Sequence, residues 1–87
     1  MGNVCVVTGG GSGIGKAIVS ELPKESTVII TGRSLDKLEK TADEFNKNGY
    51  HVIATSCDVS SRDDVKKLAA FAASHGEVKK VIHCAGV

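Results

Sequence analysis

A glycine-rich run stands between a strand-like segment and a helix-like segment near the start of this 87-residue chain. Residues 4–7, VCVV, are continuously apolar, which is typical of a strand buried on both faces. Residues 8–15, TGGGSGIG, follow directly, and a helical pattern begins within them. Few arrangements place a glycine turn between a buried strand and a helix N-terminus, and most of them bind a phosphate group there. The order therefore predicts a nucleotide site.

Short β-type runs alternate with longer runs of helical period along the whole chain. The predicted strands cover residues 3–7, 27–31, 50–56 and 79–83, and the helices between them end at Pro23, near Asn48-Gly49 and at Gly76. The predicted buried helix faces are Ile14, Ala17, Ile18 and Leu22; then Leu35, Leu38, Ala42 and Phe45; then Val65, Leu68, Ala69 and Ala72. The predicted N-caps are Ser34 for the second helix and Ser60, with Asp63, for the third.

This alternation predicts an α/β fold with a doubly wound parallel sheet of four strands, in the order 3-2-1-4, and three helices. Residues 1–87 form one unit, which we interpret as an incomplete domain. The first two helices are expected to cover one face of the sheet and the third to cover the other face only in part. An apolar surface and the outer edge of the fourth strand are then left bare, so we expect a covering partner.

Composition excludes several classes of partner. Eleven Lys and Arg against ten Asp and Glu give a formal net charge of +1, which indicates neither a nucleic-acid nor a membrane-surface role. No apolar stretch approaches the ~20 residues needed to cross a bilayer, and residues 1–7 lack the basic start of a signal peptide. We therefore expect a cytoplasmic protein. Cys5, Cys57 and Cys84 form no C-x-x-C pair and are interpreted as buried free thiols, with no metal site.

Two rival nucleotide-binding classes fit the glycine run less well. Gly10, Gly15 and Lys16 begin a P-loop pattern, but Ala17 stands where that motif needs a hydroxyl to ligate Mg²⁺. A methyltransferase would have an acidic residue at the end of the second strand to hold ribose hydroxyls. This chain has Gly32-Arg33 there, so both classes are disfavoured.

Arg33 bears on the choice of cofactor. At the end of the second strand of a dinucleotide-binding fold, a carboxylate binds the ribose hydroxyls of NAD, whereas an arginine pairs with the 2′-phosphate of NADP. With glycine at the acidic position and arginine beside it, NADP is favoured over NAD. The alternative is a solvated arginine in a turn. Ser34 can add a hydrogen bond to the same phosphate, and its role as an N-cap is compatible with that.

Four motifs in register resemble the N-terminal half of the short-chain dehydrogenase/reductase family. They are Thr8-Gly9-x-x-x-Gly13-Ile14-Gly15, Gly32-Arg33, Cys57-Asp58-Val59 and Ala85-Gly86. The resemblance covers essentially all 87 residues and implies a Rossmann-fold oxidoreductase that uses NAD(P).

The resemblance also implies roles for individual residues. Gly9, Ser12, Gly13, Ile14 and Gly15 belong to the turn around the pyrophosphate and the neighbouring ribose. Arg33 and Ser34 would contact the 2′-phosphate, Asp58 the adenine amino group, Val59 the adenine ring, and Ala85-Gly86 would run beside the cofactor. Asp58 has an alternative interpretation as a turn residue that hydrogen-bonds its own backbone.

The chain departs from the family pattern in two places. His83-Cys84 precedes Ala85-Gly86 where the family has two asparagines, and His83 is interpreted as structural, with catalysis as the alternative. The catalytic serine and Tyr-x-x-x-Lys motif of the family follow the Ala-Gly motif, and the only tyrosine here, Tyr50, has no lysine four residues later. No catalytic residue is therefore assigned.

We expect the NADP-binding portion of an oxidoreductase that transfers a hydride between NADP(H) and a carbonyl or alcohol substrate, inactive without its C-terminal half. The alternative is a non-catalytic dinucleotide-binding module that acts as a homo-oligomer or with a partner subunit.

Overall fold

A computed structural model describes residues 3–9, 13–32, 34–57 and 61–83. Strands and helices alternate along these residues as the sequence predicts. The strands are β1 (Asn3–Thr8), β2 (Thr27–Gly32), β3 (His51–Ser56) and β4 (Glu77–His83), and the helices are α1 (Gly13–Glu21), α2 (Leu35–Lys47) and α3 (Arg62–His75). β4 begins two residues earlier than predicted, whereas Tyr50 precedes β3 instead of opening it.

The four strands form one parallel sheet in the order β3-β2-β1-β4, which confirms the predicted topology. β1 lies in the centre, with its residues 4–8 beside residues 27–31 of β2. β-branched residues fill both central strands, as expected where a sheet is covered on both sides. All four strands therefore end at the same edge of the sheet, where α/β proteins bind their ligands.

The face of the sheet under α1 and α2 is closed by a continuous apolar cluster. Its fully covered members include Val7, Val19, Val28 and Ile30, and Leu38 is 2% exposed. Ile18, Leu22, Phe45 and Tyr50 pack around them. We call this the closed face.

The opposite face, under α3, is covered only in part, as predicted. Val4, Val6, Ile29 and Ala72 are buried there, and Leu68 is half-buried. The pairing of β1 with β4 shifts register after Val4, so that Lys79 is an extra residue in β4. We call this side of the sheet the open face.

The predicted buried faces of α1 and α2 are each wrong at one residue, Ala17 and Leu35, while the side chain of Ile14 lies outside the described part of the structure. In α1, Ala17 is exposed, whereas Gly15 and Val19 are buried. The side of the helix that packs on the sheet therefore contains residues 15, 18, 19 and 22. In α2, Leu35 is 39% exposed and Thr41 is 2% exposed. Thr41 tolerates burial because its hydroxyl donates to the Lys37 carbonyl at 3.0 Å.

The prediction for α3 is wrong for a different reason. Val65 and Ala69 are exposed although they lie beside the half-buried Leu68 and the buried Ala72. Their side of the helix borders an uncovered part of the sheet. The spacing of apolar residues identified the face of α3 that packs on the sheet. Val65 and Ala69 stay exposed at the border of that face, because no element of the described chain packs over them.

The helix ends confirm most of the predicted signals. Gly49 follows the C-cap of α2 with a φ of 91°, a left-handed conformation that glycine adopts without strain. The prediction of Ser60 as the N-cap of α3 is wrong by one residue, because α3 begins at Arg62 and its N-cap is Ser61, whose hydroxyl accepts from the Asp64 N–H at 3.4 Å. Ser34 occupies the predicted N-cap position of α2, but its side chain makes no capping bond within the described chain.

Candidate functional site

The carboxyl ends of the strands bring the predicted cofactor segments to one edge of the sheet. The Gly9 N–H donates to the Thr31 carbonyl at 2.6 Å, and the Cys57 N–H donates to the Gly32 carbonyl at 3.1 Å. These bonds continue the pairing of β1, β2 and β3 past their last regular positions. The segments that follow the three strands therefore start side by side.

The glycine turn leads from β1 into the amino end of α1. Gly9 has a φ of 73°, a left-handed conformation that lets the chain turn sharply out of the strand. Gly13 and Ile14 open α1, and Gly15 is buried. The first turn of α1 contains no acidic residue and is followed by the exposed Lys16. The partial positive charge of the helix end is therefore left for an anionic group, such as a pyrophosphate.

The end of β2 combines an exposed serine with a deeply buried threonine. Ser34 is exposed and accepts the Leu38 N–H through its carbonyl at 3.2 Å, and its hydroxyl makes no capping bond in the described chain. Thr31 is fully covered, and its hydroxyl makes no hydrogen bond within the described residues. Sequence reasoning did not single out Thr31. The available signal was a hydroxyl at the end of an otherwise apolar strand, directly before Gly32-Arg33.

The remaining predicted site residues lie outside the part of the chain that the structure describes. These are Ser12, Arg33, Asp58, Val59, Ala85 and Gly86, and Cys84 is outside it as well. His83 ends β4 beside Thr8, which places it on the same edge of the sheet. The side chain of His83, and with it the choice between a structural and a catalytic role, lies outside the described part of the structure.

Two cavities flank α3 on the open face. An apolar groove between α3 and β4, with a volume of about 350 Å³, is lined by Val6, Thr8, Val65, Leu68, Ala69, Val78 and Val81. We call it the α3–β4 groove. A second cavity of about 250 Å³ lies between α3 and β3 and is lined by Thr55, Ser56, Asp64, Lys67, Leu68 and Phe71. The helix thus covers the middle of its face and leaves both sides accessible.

Tyr50 lies away from the site. It precedes the first residue of β3, at the opposite end of the sheet from Gly9 and Gly32. Its hydroxyl donates to the Ser20 carbonyl at 3.0 Å, and its ring meets Phe45 edge-on with 5.1 Å between ring centroids. Tyr50 therefore joins α1 to α2.

The described residues also bear on the cysteines, on metal binding and on membrane spans. Cys5 and Cys57 are buried and form no disulfide. The described His, Cys, Asp and Glu residues form no group of three that could hold a metal ion. In the same part of the chain, no helix combines the length and apolar character that a membrane span requires.

The sequence is similar to proteins of the short-chain dehydrogenase/reductase family. A family model described as short chain dehydrogenase matches residues 3–87. Dehydrogenase/reductase SDR family member 1 of Mus musculus is 47% identical over 68 residues, which are 77% of this chain and 22% of that protein. The short-chain dehydrogenase/reductase homolog YusS of Bacillus subtilis (strain 168) is 33% identical over 90 residues, covering all of this chain and 83% of YusS.

Solved structures with the same arrangement contain nicotinamide cofactors. The chain matches actinorhodin polyketide ketoreductase with NADPH at a TM-score of 0.87 and 33% identity, over 99% of this chain and 34% of that one. It also matches a short chain dehydrogenase/reductase from Burkholderia phymatum in complex with NAD at a TM-score of 0.83 and 31% identity, over 92% and 29%. The chain thus spans about a third of these structures and about a fifth of the mouse relative.

Proposed function

Since this chain belongs to the short chain dehydrogenase family, we propose that it binds NADP(H) in preference to NAD(H), as the cofactor-binding portion of an oxidoreductase. The observation that carries the proposal is the left-handed Gly9 between β1 and the acid-free amino end of α1. The glycine turn, from Gly9 through Ser12 to Gly15, surrounds the pyrophosphate and its neighbouring ribose in this proposal. In such an oxidoreductase, the bound cofactor would donate a hydride to a carbonyl carbon or accept one from an alcohol carbon of the substrate.

Arg33 and Ser34 determine the preference for NADP(H) in this proposal. A guanidinium pairs with a phosphate through two parallel hydrogen bonds, whereas the NAD ribose offers only hydroxyls at that position. Asp58 and Val59 then bind adenine, and Ala85-Gly86 runs beside the cofactor. The relatives include both NADPH and NAD complexes, so the preference rests on Arg33.

The test compares NADPH and NADH titrations of the wild type and an Arg33→Asp variant. We expect NADPH binding to weaken at least about tenfold and NADH binding to change by less than about twofold, because a charged hydrogen bond contributes roughly 1.5–3 kcal/mol. Lys47→Asp is the matched control, because it makes the same charge change in the last turn of α2. Equal losses for both nucleotides, or none for either, would show that Arg33 is not the phosphate ligand.

A second candidate function is a non-catalytic dinucleotide-binding module that works with another subunit. The α3–β4 groove favours it, because Val65 and Val81 are 43% and 54% exposed there. Analytical ultracentrifugation of the 87-residue chain tests this candidate. A defined oligomer that binds NADPH without reductase activity supports it, whereas a monomer that binds NADPH contradicts it. For either function we propose the cytoplasm as the location, since buried cysteines without a disulfide, such as Cys5 and Cys57, suit a reducing compartment.

A further inference from the structure

Thr31 carries a buried hydroxyl that forms no hydrogen bond in the described part of the fold. Its side chain is fully covered, and the hydroxyl has no hydrogen-bond partner among the described residues. An unsatisfied buried hydroxyl is unfavourable by about 1–3 kcal/mol, whereas valine has nearly the same shape and no such cost. The hydroxyl therefore calls for an explanation other than the stability of the nucleotide-free chain.

Thr31 belongs to a row of threonines across the carboxyl ends of three strands. It pairs with Thr8 of β1 on one side and with Thr55 of β3 on the other. Thr8 is also buried, and its hydroxyl donates to the Ile82 carbonyl at 3.4 Å. The two buried threonines of the row thus differ, because only Thr8 has a hydrogen bond to a neighbouring strand in the described chain.

The backbone of Thr31 is connected to two segments that bind the dinucleotide in the proposed function. Its carbonyl accepts the N–H of Gly9, the first residue of the glycine turn, at 2.6 Å. Gly32 follows it, and Arg33 and Ser34 come next in the chain. A movement of the Thr31 peptide would therefore change the phosphate turn and the adenosine end of the site together.

We propose that Thr31 is a positioning residue for the dinucleotide, whose hydroxyl gains its hydrogen bond when binding draws the ends of β1 and β2 into the bound geometry. Because the side chain is covered, it acts through the backbone of Gly9 and Gly32 and not by touching the ligand. The inference rests on the proposed function and adds a residue to which that function assigns no role.

The test measures thermal midpoint and NADPH dissociation constant for the wild type, Thr31→Val and Thr31→Ser. Without nucleotide, Thr31→Val should keep or raise the midpoint, while its NADPH dissociation constant rises about 5- to 10-fold through loss of one hydrogen bond. Thr31→Ser keeps the hydroxyl but loses a buried methyl, so its midpoint should fall while NADPH binding stays within about twofold.

Thr41→Val is the control, because Thr41 is equally buried but donates to Lys37. It should lower the midpoint by about 4–8 °C and leave NADPH binding unchanged. The inference is overturned if Thr31→Val lowers the nucleotide-free midpoint as much as Thr41→Val does, or if it binds NADPH like the wild type. A wild type that binds neither NADPH nor NADH overturns the proposed function itself, and this inference with it.

Discussion

The closed and open faces of the sheet are built from the same strands but are covered to different extents. On the closed face, α1 and α2 bury Val7, Ile30 and Leu38 almost completely. On the open face, α3 alone covers Val6 and Ile29, while Val81 remains 54% exposed. The difference teaches that the stability of this chain is concentrated on the closed face, whereas the open face is available for contact.

The two edges of the sheet differ in a similar way. The side chain of Asn46, in α2, donates to the Val52 carbonyl at 3.0 Å and accepts the Val52 N–H at 2.7 Å. These two bonds satisfy the backbone N–H and carbonyl of Val52 on the outer edge of β3. At the other edge, Lys79 and Lys80 lie in β4 next to the shift in register. Lysines and bulges on an edge strand disfavour pairing with a second copy.

The comparison of the faces predicts the largest effect for leucine truncation. Leu38→Ala on the closed face should lower the free energy of unfolding by about 3 kcal/mol, through lost burial and the cavity left behind. Leu68→Ala on the half-covered open face should lower it by only about 1 kcal/mol, because solvent already reaches that side chain. Urea unfolding measures both. Equal losses would break the distinction between the faces.

A difference in stability of intermediate size is expected when a valine is replaced by threonine in a strand on the closed face and in one on the open face. Val7→Thr places a hydroxyl in a fully covered position and should destabilise the chain by about 2 kcal/mol. Val81→Thr places it beside the α3–β4 groove and should change stability by less than about 0.5 kcal/mol. Thermal unfolding of the two variants compares them directly. A large loss for Val81→Thr would mean that the groove is covered in solution.

The smallest difference in stability is expected between variants at the N-caps of α3, on the open face, and of α2, on the closed face. Ser61→Ala removes the hydroxyl that accepts the Asp64 N–H and should lower stability by about 1 kcal/mol. Ser34→Ala removes a hydroxyl without such a bond in the described chain and should have almost no effect on stability. Urea midpoints for the pair provide the measurement. A comparable loss at Ser34 would show that its side chain caps α2 in solution.

Local patterns were sufficient to predict most of the fold. The β-branched runs, the stop at Pro23 and the glycines at positions 49 and 76 gave the right number and order of elements, and the strand order followed from chain connectivity. The exact buried faces of the helices were less predictable. Gly15 and Thr41 are poor hydrophobic signals, yet both are buried because one permits close packing and the other satisfies its own hydroxyl.

The site was predictable in its location but only partly in its members. The glycine turn identified the edge of the sheet, and the structure brings Gly9, Gly32 and Cys57 together there. The sequence signal for Thr31, a hydroxyl at the end of an apolar strand, was too weak to single it out, because a threonine in a strand is ordinary. Its significance depends on complete burial and on the hydrogen bonds around it.

By itself, the sequence determined the order of strands and helices, the position of the glycine turn and the membership of the family, because these depend on local residue types and their spacing. The tertiary structure decided which face of the sheet is closed and which buried hydroxyl has no hydrogen-bond partner among the described residues. Burial and hydrogen bonding are set by residues distant in the chain, as when β2 places Thr31 between Thr8 and Thr55.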